Sequence, residues 1–429
     1  MWKFDSSRGH AYAWMMPNQK IADSSRRWFT GIFALFLIRG FVYGTWASQN
    51  PAIKELLSLD NTQMGIYAMV FAAGSIAGVM IAGRIVGRLG SRNTSYVTYF
   101  LFCLGLVALG VTVYDQNALL AFALTALIGL PIGTADFDNN LEATEINRVS
   151  GRNRVPSLHA GFSFGLLGGS GLASLLLAQN ISIAVHFALV GIVLIVVSMV
   201  SSVLIPRMNG YETTLRKTSS LDTGAIELAH VEVQHEPKVT QLTAWRQRRS
   251  LMIVFIAFAI IFSEGAASIW MPVALVEEGW SQSAAVFCFT VFAVVATTMR
   301  LLGNRIADAL GRRRVVNYSG VMAAIGIGLF MLSPIIGLEY LAAVIWSIGN
   351  AIGLAMCVAA LGDDPRMTSA RMSMLWNTVY IANLVIGPAI GILSEFVGLY
   401  WAFGLPLVLM LAITFFSKAV EKETLTAEA

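Results

Sequence analysis

The sequence predicts an all-α membrane protein in which twelve transmembrane helices form two pseudo-symmetric six-helix bundles, and three observations carry that prediction. The first is composition: of 429 residues, 56% are hydrophobic and 13% charged, whereas a soluble globular protein carries about 25% charged residues. The second is a series of twelve apolar runs, each near the roughly 20 residues that cross a hydrocarbon core of about 30 Å. The third is a strict alternation of charge between successive turns, which is how a multi-pass chain records its topology. Together they exclude a water-soluble enzyme, and the net charge of +4 marks topology rather than a nucleic-acid surface.

The runs fall at 28–49, 61–83, 94–114, 118–144, 156–178 and 182–205, then at 250–272, 282–302, 315–333, 338–361, 372–394 and 400–418. They are numbered here as spans 1 to 12. Six and six are separated by one polar segment, so the expected organisation is an N-terminal segment 1–27, a bundle 28–205, a central loop 206–249, a bundle 250–418 and a tail 419–429. Residues 1–27 are polar and mixed, with no short apolar core before a small-residue cleavage site, so no cleavable signal peptide is expected. The central loop reads as a solvated linker with a short surface helix around 240–249 that sets Trp245 at the interface. Cys103, Cys288 and Cys357 lie inside apolar runs without CxxC spacing and read as small core residues.

Of the 29 Lys and Arg, 27 lie in the terminal segments, the central loop and the turns after even-numbered spans, Arg300 being counted with the turn after span 8. The opposite turns hold Lys54 with Glu55, Asp60, Asp115, Glu277, Glu278, Glu339 and Glu395, and Arg39 lies inside span 1. By the positive-inside rule both termini and the central loop are cytoplasmic. The two faces are called below the basic end and the acidic end.

Two turns at the basic end are copies of one another: Gly83-Arg84-Ile85-Val86-Gly87-Arg88-Leu89-Gly90-Ser91-Arg92 and Asn304-Arg305-Ile306-Ala307-Asp308-Ala309-Leu310-Gly311-Arg312-Arg313. Glycine suits such a turn because it tolerates positive φ, and arginine satisfies helix C-terminal carbonyls. The duplicated turn, at matching places in two six-span halves, resembles the loop signature of the major facilitator superfamily, Gly-x-x-x-Asp-Arg-x-Gly-Arg-Arg. Gly87 stands at the Asp position of the first copy, and Asn304 at the first Gly of the second. The resemblance implies a charge lock whose N-half acid is absent here and whose C-half acid is Asp308.

A narrower resemblance rests on Trp46-Ala47-Ser48-Gln49-Asn50-Pro51-Ala52-Ile53, on His159 before a glycine-rich span 5, on Ser263-Glu264-Gly265-Ala266-Ala267 with Trp270 and Pro272, and on Tyr380 with Gly387-Pro388. These stretches resemble the bacterial rhizopine-transport-like branch, distantly similar to fucose permeases. In fucose permeases an acid in span 4, followed four residues later by Asn, takes part in proton coupling, and Asp136 and Asn140 match that spacing. The partner acid late in span 1 is absent, since Ala47 and Ser48 occupy its region.

Read from the residues, the stretch 129–145 loads span 4 with Asp136, Asp138, Asn139, Asn140, Glu142 and Glu145. A carboxylate at a helix centre costs about 2.5 to 3.5 kcal/mol on insertion scales, so it needs a partner, a proton or a cavity. Asp136 and Asn140 share one helix face, as do Asp138 and Glu142. His159 lies level with Asn140 across the 4/5 turn. Asp138, Glu142 and Glu145 have a plainer reading as partners of Arg148, Arg152 and Arg154 at the membrane surface. Arg39, eleven residues into span 1, either binds an anionic or carbonyl group of a solute or pairs with Asp136 in a solute-free state. Glu264 is the acid well inside the C-half and reads as a second coupling or binding position, or as a group bonded to backbone in a broken span 7. Trp346, Asn350 and Asn377 on spans 10 and 11 either hold hydroxyls and stack on rings, or bond helix to helix. The glycines of span 5 read as close-packing residues.

The combined expectation is a secondary active transporter, not an enzyme, with no cofactor or metal. It would move a small polar solute, sugar or sugar-like, across the bilayer by alternating access coupled to protons, as a monomer and without nucleic acid. The alternatives are an exporter of hydrophobic compounds and a non-transporting sensor of the same fold.

Overall fold

The computed structural model describes residues 7–150, 154–206, 241–364 and 367–422. All twelve spans are helical: Arg26–Ser48, Asn61–Leu89, Ser91–Tyr114, Ala118–Asn147, Ser157–Ala178, Ile183–Val203, Arg248–Glu277, Gln282–Gly303, Arg312–Pro334, Glu339–Leu361, Ala370–Val397 and Leu399–Val420. A chain in lipid must satisfy its own backbone polar groups, and the helix does so within one segment. No strand occurs among the described residues.

Four local features differ from the sequence expectation. The first helix starts at Ser7 rather than at 28, so described residues assigned to a polar N-terminal segment continue span 1 as Ser7–Ser48. That helix breaks at Gln49, and a short helix Asn50–Leu56 restarts with a proline in its first turn, where the absent N–H costs nothing. The helices before the duplicated turns run past their expected ends at 83 and 302. Helix runs through Leu89 and through Leu310, and each reversal is made by a single glycine, Gly90 at φ 74° ψ 157° and Gly311 at φ 78° ψ 152°. That region is accessible essentially to glycine alone. Finally, span 7 is one unbroken helix, while span 10 is broken between Asn350 and Gly353. In the central loop, Gln241–Arg246 forms the expected short helix with Trp245 exposed; most of the remainder lies outside the described residues.

Glycines set how closely the helices approach. A Cβ built on Gly40, Gly44, Gly165 or Gly169 would lie 1.9 to 2.4 Å from a backbone carbonyl oxygen of the facing helix, so spans 1 and 5 pack backbone to backbone. The glycines of span 5 are therefore the packing residues their sequence suggests, with Gly165 and Gly169 carrying the closest contacts. Across the halves, Gly65 of span 2 and Gly387 of span 11 meet in the same manner. The halves are also tied at the acidic end. Lys54 pairs with Glu277, Gln282 donates to Glu55 at 2.8 Å, and Ser174 and Ser283 each donate to the other's carbonyl at 3.0 and 2.9 Å. Glu395, late in span 11, accepts from the Asn61 and Thr62 amides at the start of span 2, where a carboxylate complements the helix dipole.

Candidate functional site

Between the halves lies a cavity of about 310 Å³, bounded by spans 1, 2, 4, 5, 7, 8 and 11. One wall is an ion pair. Arg39 of span 1 is buried and donates to Asp136 of span 4, whose side chain keeps 31% exposure to the cavity. Asn140, one turn along, donates to the same carboxylate at 3.0 Å, so the i, i+4 spacing seen in the sequence produces a real contact. Tyr380 of span 11 reaches the other carboxylate oxygen at 3.4 Å, which makes Asp136 a bridge between the two halves. The Arg39 guanidinium sits 5.0 and 5.3 Å from the ring centroids of Phe36 and Phe162, held by cation–π attraction as well as charge. His159 is exposed and makes no hydrogen bond to Asp136 or Asn140; it stands edge-on to Phe36 at 5.0 Å.

The C-half supplies a second pair of opposite layout. Glu264 of span 7 lines the cavity and accepts from Arg300 of span 8 at 2.5 Å. Span 7 being unbroken, the alternative of a carboxylate bonded to open helix backbone is not realised. Arg300 was counted with the basic-end turn. The signal that places it in the membrane is its position inside the apolar run, with Thr297, Thr298 and Met299 before it and Leu301 and Leu302 after. Tyr43 and Ser268 approach across the halves at 3.4 Å, and an aromatic wall of Tyr43, Trp46, Phe71, Phe162, Phe289 and Phe292 completes the lining.

Three candidates fall elsewhere. Trp346 is fully buried among Phe292, Phe330 and Phe403 and donates to Ser263 at 2.8 Å, so it ties span 10 to span 7. Asn350 is buried beside the break in span 10 and is not part of the cavity lining. Asn377 is exposed, about one turn toward the basic end from Tyr380, and also lies outside the lining. Tyr380 and Asn383 on the same span do line it.

Asp138 and Glu142 do not make the surface ion pairs suggested by their spacing. Asp138 is fully buried and accepts from Ser91 and Ser95 of span 3, and Glu142 accepts from the Trp28 indole at 2.6 Å. Their sequence distance to Arg148, Arg152 and Arg154 was misleading because span 4 turns these side chains inward against spans 1 and 3. Arg154 is instead stacked on Phe29 at 4.8 Å; Arg152 lies outside the described residues. At the turns, Gly83, Arg84 and Arg88 are exposed, Arg92 is half-buried, and Asp308 is exposed without a hydrogen bond or ion pair among the described residues. The C-half lock expected at Asp308 is not formed. Its place is taken by Arg312, which binds Asp363 at 2.8 Å, with Arg249 on the other carboxylate oxygen at 3.1 Å, while Arg313 pairs with Glu421.

The sequence profile of the Major Facilitator Superfamily matches residues 35–380 and, in a second match, 253–427. The chain belongs to that superfamily. Among curated relatives, an uncharacterised MFS-type transporter of Yersinia pestis is 26% identical over 394 residues, covering 90% of this chain and 94% of its own. The membrane protein MosC of Rhizobium meliloti is 22% identical over 374 residues, covering 86% and 84%. The sugar efflux transporter B of Salmonella typhimurium is 22% identical over 395 residues, covering 89% and 93%. The crystal structure of a D-xylose-proton symporter superimposes with a TM-score of 0.69 at 13% identity, over 92% of this chain and 99% of that one. Superfamily membership makes the molecule a multi-pass membrane transporter rather than an enzyme, and the cavity between the halves its candidate site.

Proposed function

We propose that the protein is a secondary active transporter that carries a small polar solute, sugar or sugar-like, by alternating access, with protons as the coupling ion. The basic end faces the cytoplasm, so both termini are cytoplasmic and the membrane is the plasma membrane. The observation that carries this reading is the Arg39–Asp136 pair, which faces a solute-sized cavity and is bonded from the opposite half by Tyr380.

The chemistry follows from what each group does when the pair opens. A proton on Asp136 removes its charge, and Arg39 then lacks a counterion in a low-dielectric wall. Losing one partner of a buried pair costs about 3 to 5 kcal/mol, which a solute oxygen accepting from the guanidinium offsets. Protonation also turns the carboxylate that Tyr380 donates to into a weaker acceptor, loosening the tie between halves. Proton uptake, solute binding and freedom of the halves to rock are thereby linked at one carboxylate. Glu264 and Arg300 form the corresponding pair on the opposite wall. The sugar class draws support from the relation to a sugar efflux transporter and from aromatic faces suited to stacking on sugar rings. That same aromatic wall favours a second reading, export of hydrophobic compounds.

Purified protein in liposomes separates these. Uptake of a sugar driven by an imposed pH gradient, and abolished in Arg39→Gln, is the expected result. Gradient-driven flux of hydrophobic dyes with no sugar flux would move the protein to the second reading, and ligand binding without any flux would make it a sensor.

A further inference from the structure

A second cavity, of about 690 Å³, opens at the acidic end. Its walls come from both halves: Gln49 and Glu55 after span 1, Asn180 and Ser182 at the turn between spans 5 and 6, and Ser281 and Gln282 at the start of span 8. Gln49 is placed there by the helix break. The first helix ends at Ser48, and Pro51 opens the next, leaving Gln49 between them with its side chain only 1% exposed residue-wide.

That side chain is bonded at one terminal atom and unpartnered at the other. Its Nε2 lies 2.8 Å from Nδ1 of His186 on span 6, while its Oε1 has no partner, and the fully buried His186 likewise has none at Nε2. An unpaired buried polar atom costs about 1 to 3 kcal/mol, so hydrogen-bonding capacity remains at this wall. Around Gln49 the cavity offers further neutral donors and acceptors. Ser182 and Ser281 cap the first turns of spans 6 and 8, so two long helices begin at its edge. The lining contains no Lys or Arg, and its one acid, Glu55, already accepts from Gln282 across the seam.

We propose that this cavity is a second binding site, for a small uncharged polyhydroxylated molecule, and that occupancy holds the acidic end shut. Hydroxyl groups fit the lining because each both donates and accepts, as do the amide and hydroxyl groups of Gln49, Asn180, Ser182 and Ser281; an anion finds no cation here, and a cation finds a carboxylate that is already engaged. The closing effect follows from the walls belonging to different halves: a molecule bonded to Gln49 and to the start of span 8 must be released before the two separate. Only this closing effect rests on the alternating-access reading.

The test uses full-length protein with sorbitol as the probe. Calorimetry should show saturable binding at millimolar sorbitol that survives Arg39→Gln and is lost in both Gln49→Leu and Asn180→Ala. Cysteines at Ser174 and Ser283, which face each other across the closed seam, report closure through their rate of cross-linking. At about ten times the dissociation constant, sorbitol should lower the open-to-closed ratio roughly tenfold. Absence of sorbitol binding, binding abolished by Arg39→Gln, or binding untouched by both lining variants would overturn the site. Binding without a change in cross-linking would overturn the closing effect. Neither readout requires flux, so failure of the transport reading would show separately, as liposomes that bind solute and move none.

Discussion

The two copies of the basic-end turn share a backbone and differ in chemistry. Each reverses the chain on one glycine in nearly the same conformation, and each sets the next residue toward an acid farther along the chain, within span 4 in the N-half and just past the end of span 10 in the C-half. In the C-half that residue is Arg312, and with Arg249 it holds Asp363 by charge. In the N-half the equivalent residue is Ser91, and with Ser95 it holds Asp138 by neutral hydroxyls alone. The lesson is that the repeat specifies helix ends and turns, while a single residue type decides whether the acid behind the turn is ionically paired. The cavity repeats the point. Its N-half wall carries the arginine on the first span of the bundle and the acid on the fourth, and its C-half wall carries the acid on the first span and the arginine on the second.

The largest effect should come from the charged copy. Asp363→Ala leaves Arg312 and Arg249 facing each other, and because both arginines are only partly buried the loss should be about 2 kcal/mol, below the range for a fully buried pair. Thermal unfolding in detergent checks it. Asp138→Ala removes two hydroxyl hydrogen bonds together with a buried carboxyl, and should cost about 1 kcal/mol or less. If the two variants lose equal stability, the copies do not differ in the way described.

Converting one copy into the other sharpens the contrast. Ser91→Arg gives the N-half turn the residue of its C-half counterpart, and the expected outcome is unchanged or slightly raised thermal stability with slower solute flux, since a new ion pair must break as the halves move. A stability loss equal to that of Asp363→Ala would show that the buried Ser91 position has no room for the guanidinium.

The smallest difference between the copies should appear at the turn glycines. Gly90→Ala and Gly311→Ala place a Cβ in open space, since no atom lies within 4 Å, so only the backbone conformation opposes them. About 1 to 2 kcal/mol is expected for each, and the two values should agree.

Much of this was legible in the sequence because it follows from length, hydropathy and charge. The twelve spans, the duplicated turn and the Asp136–Asn140 face need only periodicity and the intolerance of lipid for unpaired groups. The pairing of Arg39 with Asp136 was one of two roles open to an arginine at mid-membrane, and the sequence alone could not choose because distance between helices is a packing result. Arg300 was misassigned since a residue near a span end looks like a loop residue until the helix is seen to continue. Trp346 and Asn350 were read either as cavity groups or as ties between helices, and the sequence could not choose because it does not show that span 10, broken between Asn350 and Gly353, stays outside the cavity wall. Asp138 and Glu142 were read from sequence neighbours, the nearby arginines, when their partners are 114, 47 and 43 residues away.

In the proposed mechanism one carboxylate, Asp136, links proton, solute and the two halves. Asp136→Asn keeps the size and hydrogen-bonding capacity of the side chain and removes the charge that Arg39 and Tyr380 address. In liposomes under an imposed pH gradient, this variant should lose gradient-driven accumulation while retaining solute exchange across a membrane held at equal pH. Accumulation driven by the gradient at the unmodified rate would contradict it.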